Sequence, residues 1–259
     1  MAHIFFYTIL FVLAILPQET YAASSIGGSI EDYRWQETID APPLSPQETG
    51  QRYAIHIKWN QDKERGVIMG YRGKFYAGQV HYDTFTQSTY TPVATTTQYS
   101  GAVHEGQMYY RFDNAALKLD LVGGLGLDTW ERSIANKGYN QIEDFLIIYL
   151  RSGIHIDQPA ERGFHGAGGL KYPVYTWEDA HLDNLGYTSN PTLKPGKAVS
   201  LYGELGYRIS KRWDITGYYD SWRFKRSDTV FTTDGGNLVG IYQPESRMDA
   251  YGVTVQYLF

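Results

Sequence analysis

One short segment of the sequence gathers groups that can move protons. Glu178, Asp179 and Asp183 surround His181 within six residues. A carboxylate beside a histidine can orient the imidazole so that it accepts a proton from water, which is the chemistry of hydrolysis. Asp179, His181 and Asp183 are therefore candidate catalytic residues. A solvated acidic loop is the alternative, because surface loops commonly carry charged residues.

A pair of histidines forms the second candidate group. His155 and His165 flank a short polar stretch that contains Asp157. Side chains on neighbouring strands lie ~5 Å apart at Cβ, so two imidazoles there could bind one transition-metal ion together with Asp157. Polar packing inside the protein is the alternative, because two histidines without a fixed third ligand are a weak metal signal.

A third group is basic. Arg223, Lys225 and Arg226 lie within four residues. Arginine and lysine suit phosphate groups electrostatically, so this cluster is a candidate anion contact. Ordinary solvation of surface charges is the alternative.

Composition restricts the functions that these groups could serve. The chain has 259 residues, no cysteine and a net charge of −5. The lack of cysteine excludes disulfides, thiolate metal sites and cysteine nucleophiles. The mild negative charge argues against a nucleic-acid partner. The glycine-rich run at residues 122–128 lies inside a strand pattern rather than before a helix, so it is not a phosphate-binding loop. We expect no cofactor.

The start of the sequence is typical of an exported protein. Residues 4–16 form an apolar run that ends at Pro17. A membrane-spanning helix needs ~20 apolar residues, so this run has the length of a signal-peptide core. Small residues near Ala22 provide a cleavage site. We therefore predict a signal peptide over residues 1–22 and one domain over residues 23–259.

After residue 22 the sequence alternates between apolar and polar residues, which indicates β-strands. Leu121, Leu125 and Leu127 share one face of the clearest segment, and Asp120 and Asp128 lie on the other. The predicted strands cover residues 29–37, 51–60, 67–82, 101–112, 117–133, 144–156, 164–177, 198–210, 213–226 and 247–259.

The connections between these strands alternate in length. Short turns are predicted at residues 61–66, 113–116, 157–163 and 211–212, whereas longer loops include residues 83–100, 178–197 and 227–246. An even number of antiparallel strands with short turns at one end and long loops at the other is the pattern of outer-membrane barrels. The predicted fold is all-β: a single antiparallel transmembrane β-barrel of about ten strands, with short periplasmic turns and long extracellular loops.

The last strand carries the most specific motif. Its outward face is formed by Tyr251, Val253, Val255, Tyr257 and Phe259, and the intervening residues are small or polar. This strand resembles the C-terminal signal of bacterial outer-membrane β-barrel proteins, which the barrel-assembly machinery recognises. The resemblance implies a location in the outer membrane of a Gram-negative bacterium, with both termini in the periplasm. It also implies outer-membrane lipid, lipopolysaccharide and the assembly machinery as partners.

The other face of the strands predicts a charged lumen. The lumen and selectivity candidates are Arg72, Lys74, Glu105, Arg111, Lys118, Asp120, Arg151, Glu204 and Arg208. Ten strands are close to the size at which side chains fill the interior. Opposite charges are therefore expected to pair across the lumen, because isolated charges there would be poorly solvated.

Three kinds of function remain open. The first is a porin-like or structural outer-membrane protein with a narrow charged lumen. The second is an enzyme at the rim, either a lipid A-modifying hydrolase or a protease; omptin proteases are similar in size and in the placement of acidic and histidine residues at the outer mouth. The third is a surface ligand-binding or adhesion protein that uses loops such as residues 88–97. Arg223, Lys225 and Arg226 are the candidate contacts for lipopolysaccharide phosphates, with ordinary solvation at the rim as the alternative.

Overall fold

The computed structural model describes residues 22–40, 43–61, 63–85, 90–112, 117–135 and 140–259. Two predictions lie outside the described residues, namely the signal peptide, apart from Ala22, and the turn at residues 113–116. Among the described residues, no helix has the length and apolar character that a membrane crossing requires.

The described chain is built almost entirely of strands. The long strands are β1 (Ala22–Asp40), β3 (Gln47–Gln61), β4 (Gly66–Phe85), β5 (Pro92–Arg111), β6 (Lys118–Ala135), β7 (Asn140–Asp157), β8 (Gly163–Asp179), β10 (Ser200–Arg208), β11 (Trp213–Lys225) and β14 (Glu245–Leu258). The short strands are β2 (Pro43–Leu44), β9 (Gly196–Lys197), β12 (Val230–Asp234) and β13 (Asn237–Ile241). One 3-10 helix covers Leu182–Leu185.

The ten long strands close into an antiparallel barrel. Each pairs with the next long strand along the chain, and the ring is completed where β1 pairs with β14. In that last pairing, Ser25 lies opposite Leu258 and Tyr33 opposite Ala250. The predicted ten-stranded antiparallel barrel is confirmed. We call the end with the short turns the turn end and the opposite end the loop end.

The main correction to the predicted elements concerns residues 83–100. The sequence predicts a loop there, but β4 continues to Phe85 and β5 already begins at Pro92. Thr97 and Tyr99 are buried in the lumen, and both donate hydrogen bonds to Glu48. The segment is polar on both faces, because its outward side lies beyond the apolar band described in the next paragraph. The alternation typical of a strand is therefore not visible in its sequence.

The outward face carries an apolar band of bilayer height. On β4 it runs from Val67 to Ala77, about 33 Å along the strand at ~3.3 Å per residue and about 25 Å in height at a tilt of ~40°. This matches the ~25 Å band of membrane barrels. Exposed aromatic residues border it: Tyr110, Phe164, Trp213 and Phe259 near the turn end, and Tyr53, Tyr172, Tyr175 and Tyr251 towards the loop end.

The loop end extends well beyond this band. On β4 the outward residues Gln79 and His81 continue the strand after the apolar stretch ends. The hairpin of β12 and β13 packs one face on a small apolar cluster centred on Leu182 and Leu193. Its other face exposes Phe231 (64%) and Leu238 (72%).

Candidate functional site

Side chains from opposite walls of the barrel meet inside the lumen. Within the height of the apolar band, the charged residues of the strands lie on inward positions, because the outward positions there are apolar. Arg72 on β4 and Glu204 on β10 are five strands apart in the ten-stranded ring, yet the Arg72 Nη2 and Glu204 Oε2 atoms lie 2.8 Å apart. The expected pairing of opposite charges across the lumen is therefore present.

One arginine organises the lumen at the loop end. Arg132 is 2% exposed and forms ion pairs with three glutamates. Its nitrogen atoms lie 3.0 Å from Glu37 Oε1, 3.0 Å from Glu48 Oε1 and 2.6 Å from Glu143 Oε2. These carboxylates come from three different strands, so a single guanidinium ties distant parts of the wall together.

A fourth glutamate is buried beside this network. Glu178 is 1% exposed, and its Oε2 atom has no hydrogen-bond partner among the described residues. Burial and the charges of Glu143 and Glu37 raise the pKa of Glu178 well above its ordinary value. Burial also raises the pKa of Glu143, against the opposing effect of Arg132. Burial and the neighbouring carboxyl groups therefore act in the same direction on Glu178 and Glu143, towards a higher pKa.

A second ionic network fills the middle of the lumen. Arg52 Nε donates to Glu31 Oε1 at 2.7 Å, and Lys74 Nζ lies 2.5 Å from Glu31 Oε2. The Arg52 guanidinium also lies over the rings of Tyr33 and Tyr76, at 3.8 and 4.3 Å from their centroids. The buried charge is thus surrounded by a carboxylate and two aromatic faces, which together replace the water it has lost.

Aromatic rings close the remaining space. Trp35 on β1 and Phe145 on β7 lie on opposite walls, and their ring centroids are 5.9 Å apart. Phe145 also stacks on Trp130 at 4.7 Å. None of these three side chains is more than 3% exposed. We call this aromatic layer, together with the Arg52 and Arg132 networks, the plug.

Below the plug, the lumen opens into a polar cavity at the turn end. The cavity has a volume of about 560 Å³. The Arg72–Glu204 pair lies at its inner end and also lines a smaller cavity of about 40 Å³ on the plug side. Lys58 lies next to this pair, with its Nζ atom 4.0 Å from Glu204 Oε2. This cavity is concave and lined by convergent polar and charged side chains, so it is the candidate binding site.

The two predicted metal-ligand histidines both line this cavity, but they have different partners. His155 Nδ1 lies 3.1 Å from Asp120 Oδ2, and His165 Nε2 lies 2.6 Å from Asp214 Oδ2. Asp157 pairs with an arginine, Arg208, at 2.9 Å. The three predicted ligands therefore do not converge, and no cluster within the described part of the chain has the arrangement of a metal site.

The candidate catalytic residues lie at the loop end, on the outer side of the wall. His181 Nε2 lies 2.9 Å from Asp144 Oδ2, and its Nδ1 lies 3.9 Å from Asp179 Oδ1. Asp183 is exposed. Partial burial opposes protonation of the imidazole, but the hydrogen bond to Asp144 and the charge of Asp179 outweigh it and raise the pKa of His181. Asp144 was not predicted from the sequence, although the strand register places it directly opposite Asp179.

The three residues of the basic cluster have different surroundings. Arg223 points outward and forms an ion pair with Asp249 at 2.6 Å. Lys225 is exposed, and Arg226 lies over the ring of Tyr242, 3.8 Å from its centroid. Only part of the predicted cluster is therefore free to meet an external anion. Two exposed arginines that the sequence analysis did not single out, Arg34 and Arg247, lie on the same outward face.

The remaining sequence-predicted residues lie where alternation places them. The lumen candidates Arg72, Lys74, Glu105, Arg111, Lys118, Asp120, Arg151, Glu204 and Arg208 are on inward positions of their strands. The assembly-signal residues Tyr251, Val253, Val255 and Tyr257 are on outward positions of β14, and Phe259 follows its end. Several residues of the plug were missed. Arg132 has the same parity along β6 as Asp120, so a longer extrapolation of the alternation would have found it.

Comparison with known proteins identifies a shared fold. No family model and no curated protein matches the chain. Among solved structures, the outer membrane protease OmpT from Escherichia coli is 12% identical with a TM-score of 0.53, over 94% of this chain and 99% of that one. The transport unit of the autotransporter AIDA-I from Escherichia coli is 10% identical with a TM-score of 0.51, over 98% and 97%. At these identities the likeness shows the fold alone, which is that of the outer-membrane β-barrels.

Proposed function

We propose that this chain is an integral outer-membrane protein whose barrel is sealed, so that it acts through its ends rather than as an open pore. The observation that carries the proposal is the contact between opposite walls, where Trp35 and Phe145 meet at 5.9 Å. A conducting lumen needs a continuous water-filled path. Here the path is interrupted by rings and ion pairs that are almost completely buried.

The orientation proposed for the barrel follows from its two ends. Short turns face the periplasm in outer-membrane barrels, and the longer loops face outward. By this rule the polar cavity opens to the periplasm and the plug lies towards the cell surface. The outward residues of β14 would then be presented to the barrel-assembly machinery during insertion.

The loop end supports a role at the cell surface. It carries the hairpin of β12 and β13, whose exposed side bears Phe231 and Leu238. Contiguous exposed apolar patches mark surfaces that contact a partner, and these two side chains lie on the same face of the hairpin. The sealed barrel would then serve as a rigid support for ligand binding or adhesion.

Basic groups beyond the apolar band support contact with lipopolysaccharide. Arg34, Arg247 and Lys225 are exposed on the outward face, in the region just beyond Tyr251. Phosphate groups of the outer leaflet would lie at this height, and arginine binds phosphate through paired hydrogen bonds. Replacing the two arginines by methionine should reduce the lipopolysaccharide that co-purifies with the barrel.

Conductance tests the sealed barrel directly. The refolded protein in a planar bilayer is expected to give no steady ohmic steps. Phe145→Ala, which removes a ring from the plug, is expected to produce brief openings. Phe164→Ala removes an exposed ring (58%) and should stay silent. Steady ohmic steps from the unaltered protein would show that the plug does not seal the lumen.

A gel assay tests the barrel itself. A closed barrel resists unfolding by detergent until it is heated, so the unboiled protein should migrate differently from the boiled protein. Identical migration of the two samples would count against a stable membrane barrel and would also make the conductance result uninformative.

A second candidate function is hydrolysis at the loop end. It is supported by one observation, the hydrogen bond between His181 and Asp144, which forms a histidine–carboxylate pair like those that activate water. Because the pKa of His181 is raised, any activity that uses it as a base should increase with pH above the ordinary histidine range. Cleavage of a fluorogenic peptide that is unaffected by His181→Ala would exclude this role.

A further inference from the structure

Among the described residues, the charges that line the turn-end cavity leave two lysines, Lys58 and Lys118, without a close ion-pair partner. Each of the five carboxylates lining the cavity has its own basic partner within the described residues: Asp120 with Arg111, Asp157 with Arg208, Glu161 with Lys211, Glu204 with Arg72, and Asp214 with His165. The nearest carboxylate oxygen to Lys58 Nζ is Glu204 Oε2, at 4.0 Å. That distance is too long for a hydrogen bond.

The position of Lys58 makes its lack of a close carboxylate partner energetically unfavourable. Lys58 on β3 is directly opposite Arg72 on β4 in the strand register. Like charges at such a pair repel each other and destabilise the sheet. Both side chains line the same cavity, and the nearest carboxylate oxygen to each is the Glu204 Oε2 atom. Two adjacent cations thus share one carboxylate, with Lys58 only 22% exposed.

We propose that the turn-end cavity binds a small anion with phosphate or carboxylate oxygens, held by Lys58 and Arg72. Lys58 supplies ammonium donors that have no hydrogen-bond partner among the described residues. Arg72 supplies guanidinium donors beyond the Nη2 that it uses for Glu204. An anion bound between Lys58 and Arg72 offsets the repulsion between the two cations. It also accepts hydrogen bonds from the donors that face the cavity.

The size and shape of the cavity fit this class of ligand. A volume of about 560 Å³ lies within the range of small-molecule sites, ~300–1,000 Å³. The plug closes the inner end, so a ligand that enters from the turn end is retained rather than passed on. Two neighbouring cations favour a ligand with at least two oxyanion groups over a single monovalent anion.

Calorimetric titration of the folded protein in a non-ionic detergent tests the proposal. The probes are inorganic pyrophosphate and citrate, each added at low ionic strength because salt screens such contacts. We expect at least one probe to bind. Lys58→Met should weaken binding about tenfold, the effect of losing a hydrogen bond to a charged group. Lys58→Arg should retain binding, and Glu204→Gln should strengthen it by removing the competing carboxylate.

Lys194→Met is the matched control, because Lys194 is an exposed lysine in the loop between β8 and β9 at the other end of the barrel. Its binding should equal that of the unaltered protein. Heat-dependent migration on a gel verifies that each variant is folded before titration. The proposal is overturned if neither probe binds the unaltered protein. It is also overturned if folded Lys58→Met binds as well as the unaltered protein, or if Lys194→Met weakens binding as much as Lys58→Met.

Discussion

Replacing Arg132 by methionine is the most demanding test of the loop-end network. The change keeps much of the side-chain volume but removes the cation that, among the described residues, forms the ion pairs with Glu37, Glu48 and Glu143. Removing one partner of a buried ion pair typically costs about 3–5 kcal/mol, because the other charge remains buried without compensation. Here three carboxylates lose the same partner at once.

The magnitude can be worked out from protonation. The variant can relieve the excess charge when one glutamate takes up a proton. At pH ~7 this costs about 3.7 kcal/mol, because an ordinary glutamate pKa is ~4.3 and each pH unit is worth ~1.36 kcal/mol. At pH ~5 the same protonation costs about 1 kcal/mol. We therefore expect a loss of about 4 kcal/mol at neutral pH that falls to about 1 kcal/mol in mild acid.

The sign of this pH dependence follows from linkage. In the variant, the folded-state pKa of the affected glutamate rises above its unfolded value. Stability from such a group is fully present below the unfolded pKa and is lost as pH rises through the folded pKa. Burial and the neighbouring carboxyl groups already raise the pKa of Glu178 in the unaltered protein, which is the direction expected for the affected glutamate in the variant.

The assay is urea unfolding in lipid vesicles, followed by tryptophan fluorescence. Trp35 is a suitable reporter, because the Arg132 guanidinium lies 5.4 Å from its ring centroid. Arg34→Met is the control: Arg34 is exposed at the same end of the barrel, and its replacement should change stability by less than about 0.5 kcal/mol. A loss below about 1 kcal/mol at neutral pH, or an equal loss at both pH values, would refute the reasoning.

Two further predictions concern packing and protonation. Gly126→Ala should destabilise the barrel by about 1–3 kcal/mol, because a Cβ there would collide with the Tyr149 ring. Gly123→Ala on the same strand meets nothing within 4 Å and should be neutral. Equal urea midpoints for the two variants would contradict this. The urea midpoint of the unaltered protein should exceed that of His181→Gln most clearly below pH ~6.5. The difference should shrink as pH rises through the raised pKa of His181, because the ion pair with Asp144 is then lost; a difference that does not vary with pH would contradict it.

The alternation of apolar and polar residues predicted the barrel, because this alternation is a direct consequence of barrel geometry. A wall with lipid on one side and a charged lumen on the other favours a change of residue type at successive positions, as in Lys118, Leu119, Asp120 and Leu121 at the start of β6. The alternation is lost where the outward face of a strand meets water instead of lipid. Thr97 and Tyr99 belong to a strand whose outer residues are polar, so the segment looks like a loop until Glu48 is seen to bind both side chains.

The site was less accessible to sequence reasoning because it depends on contacts around the ring. Parity along a strand places Arg72 and Glu204 in the lumen, but only the closed ring shows that they are on opposite walls and 2.8 Å apart. The same applies to His155 and His165. Their spacing suggested that they share a metal ion. In the structure, His155 instead lies against Asp120 on β6, and His165 lies against Asp214 on β11.

The pairing of β1 with β14 constrains how the barrel folds and inserts into a membrane. Ser25 and Leu258 are neighbours in space although they are separated by almost the whole described chain. Until that seam forms, β1 and β14 each present a row of unpaired amide and carbonyl groups, which hydrocarbon does not tolerate. Nine of the ten strands therefore make no stable intermediate inside a bilayer. Insertion into the bilayer and closure of the β1–β14 seam are therefore one event. The pairing of β1 with β14 is the slowest contact to form, because it joins the most distant parts of the described chain, and the other strand pairings depend on it.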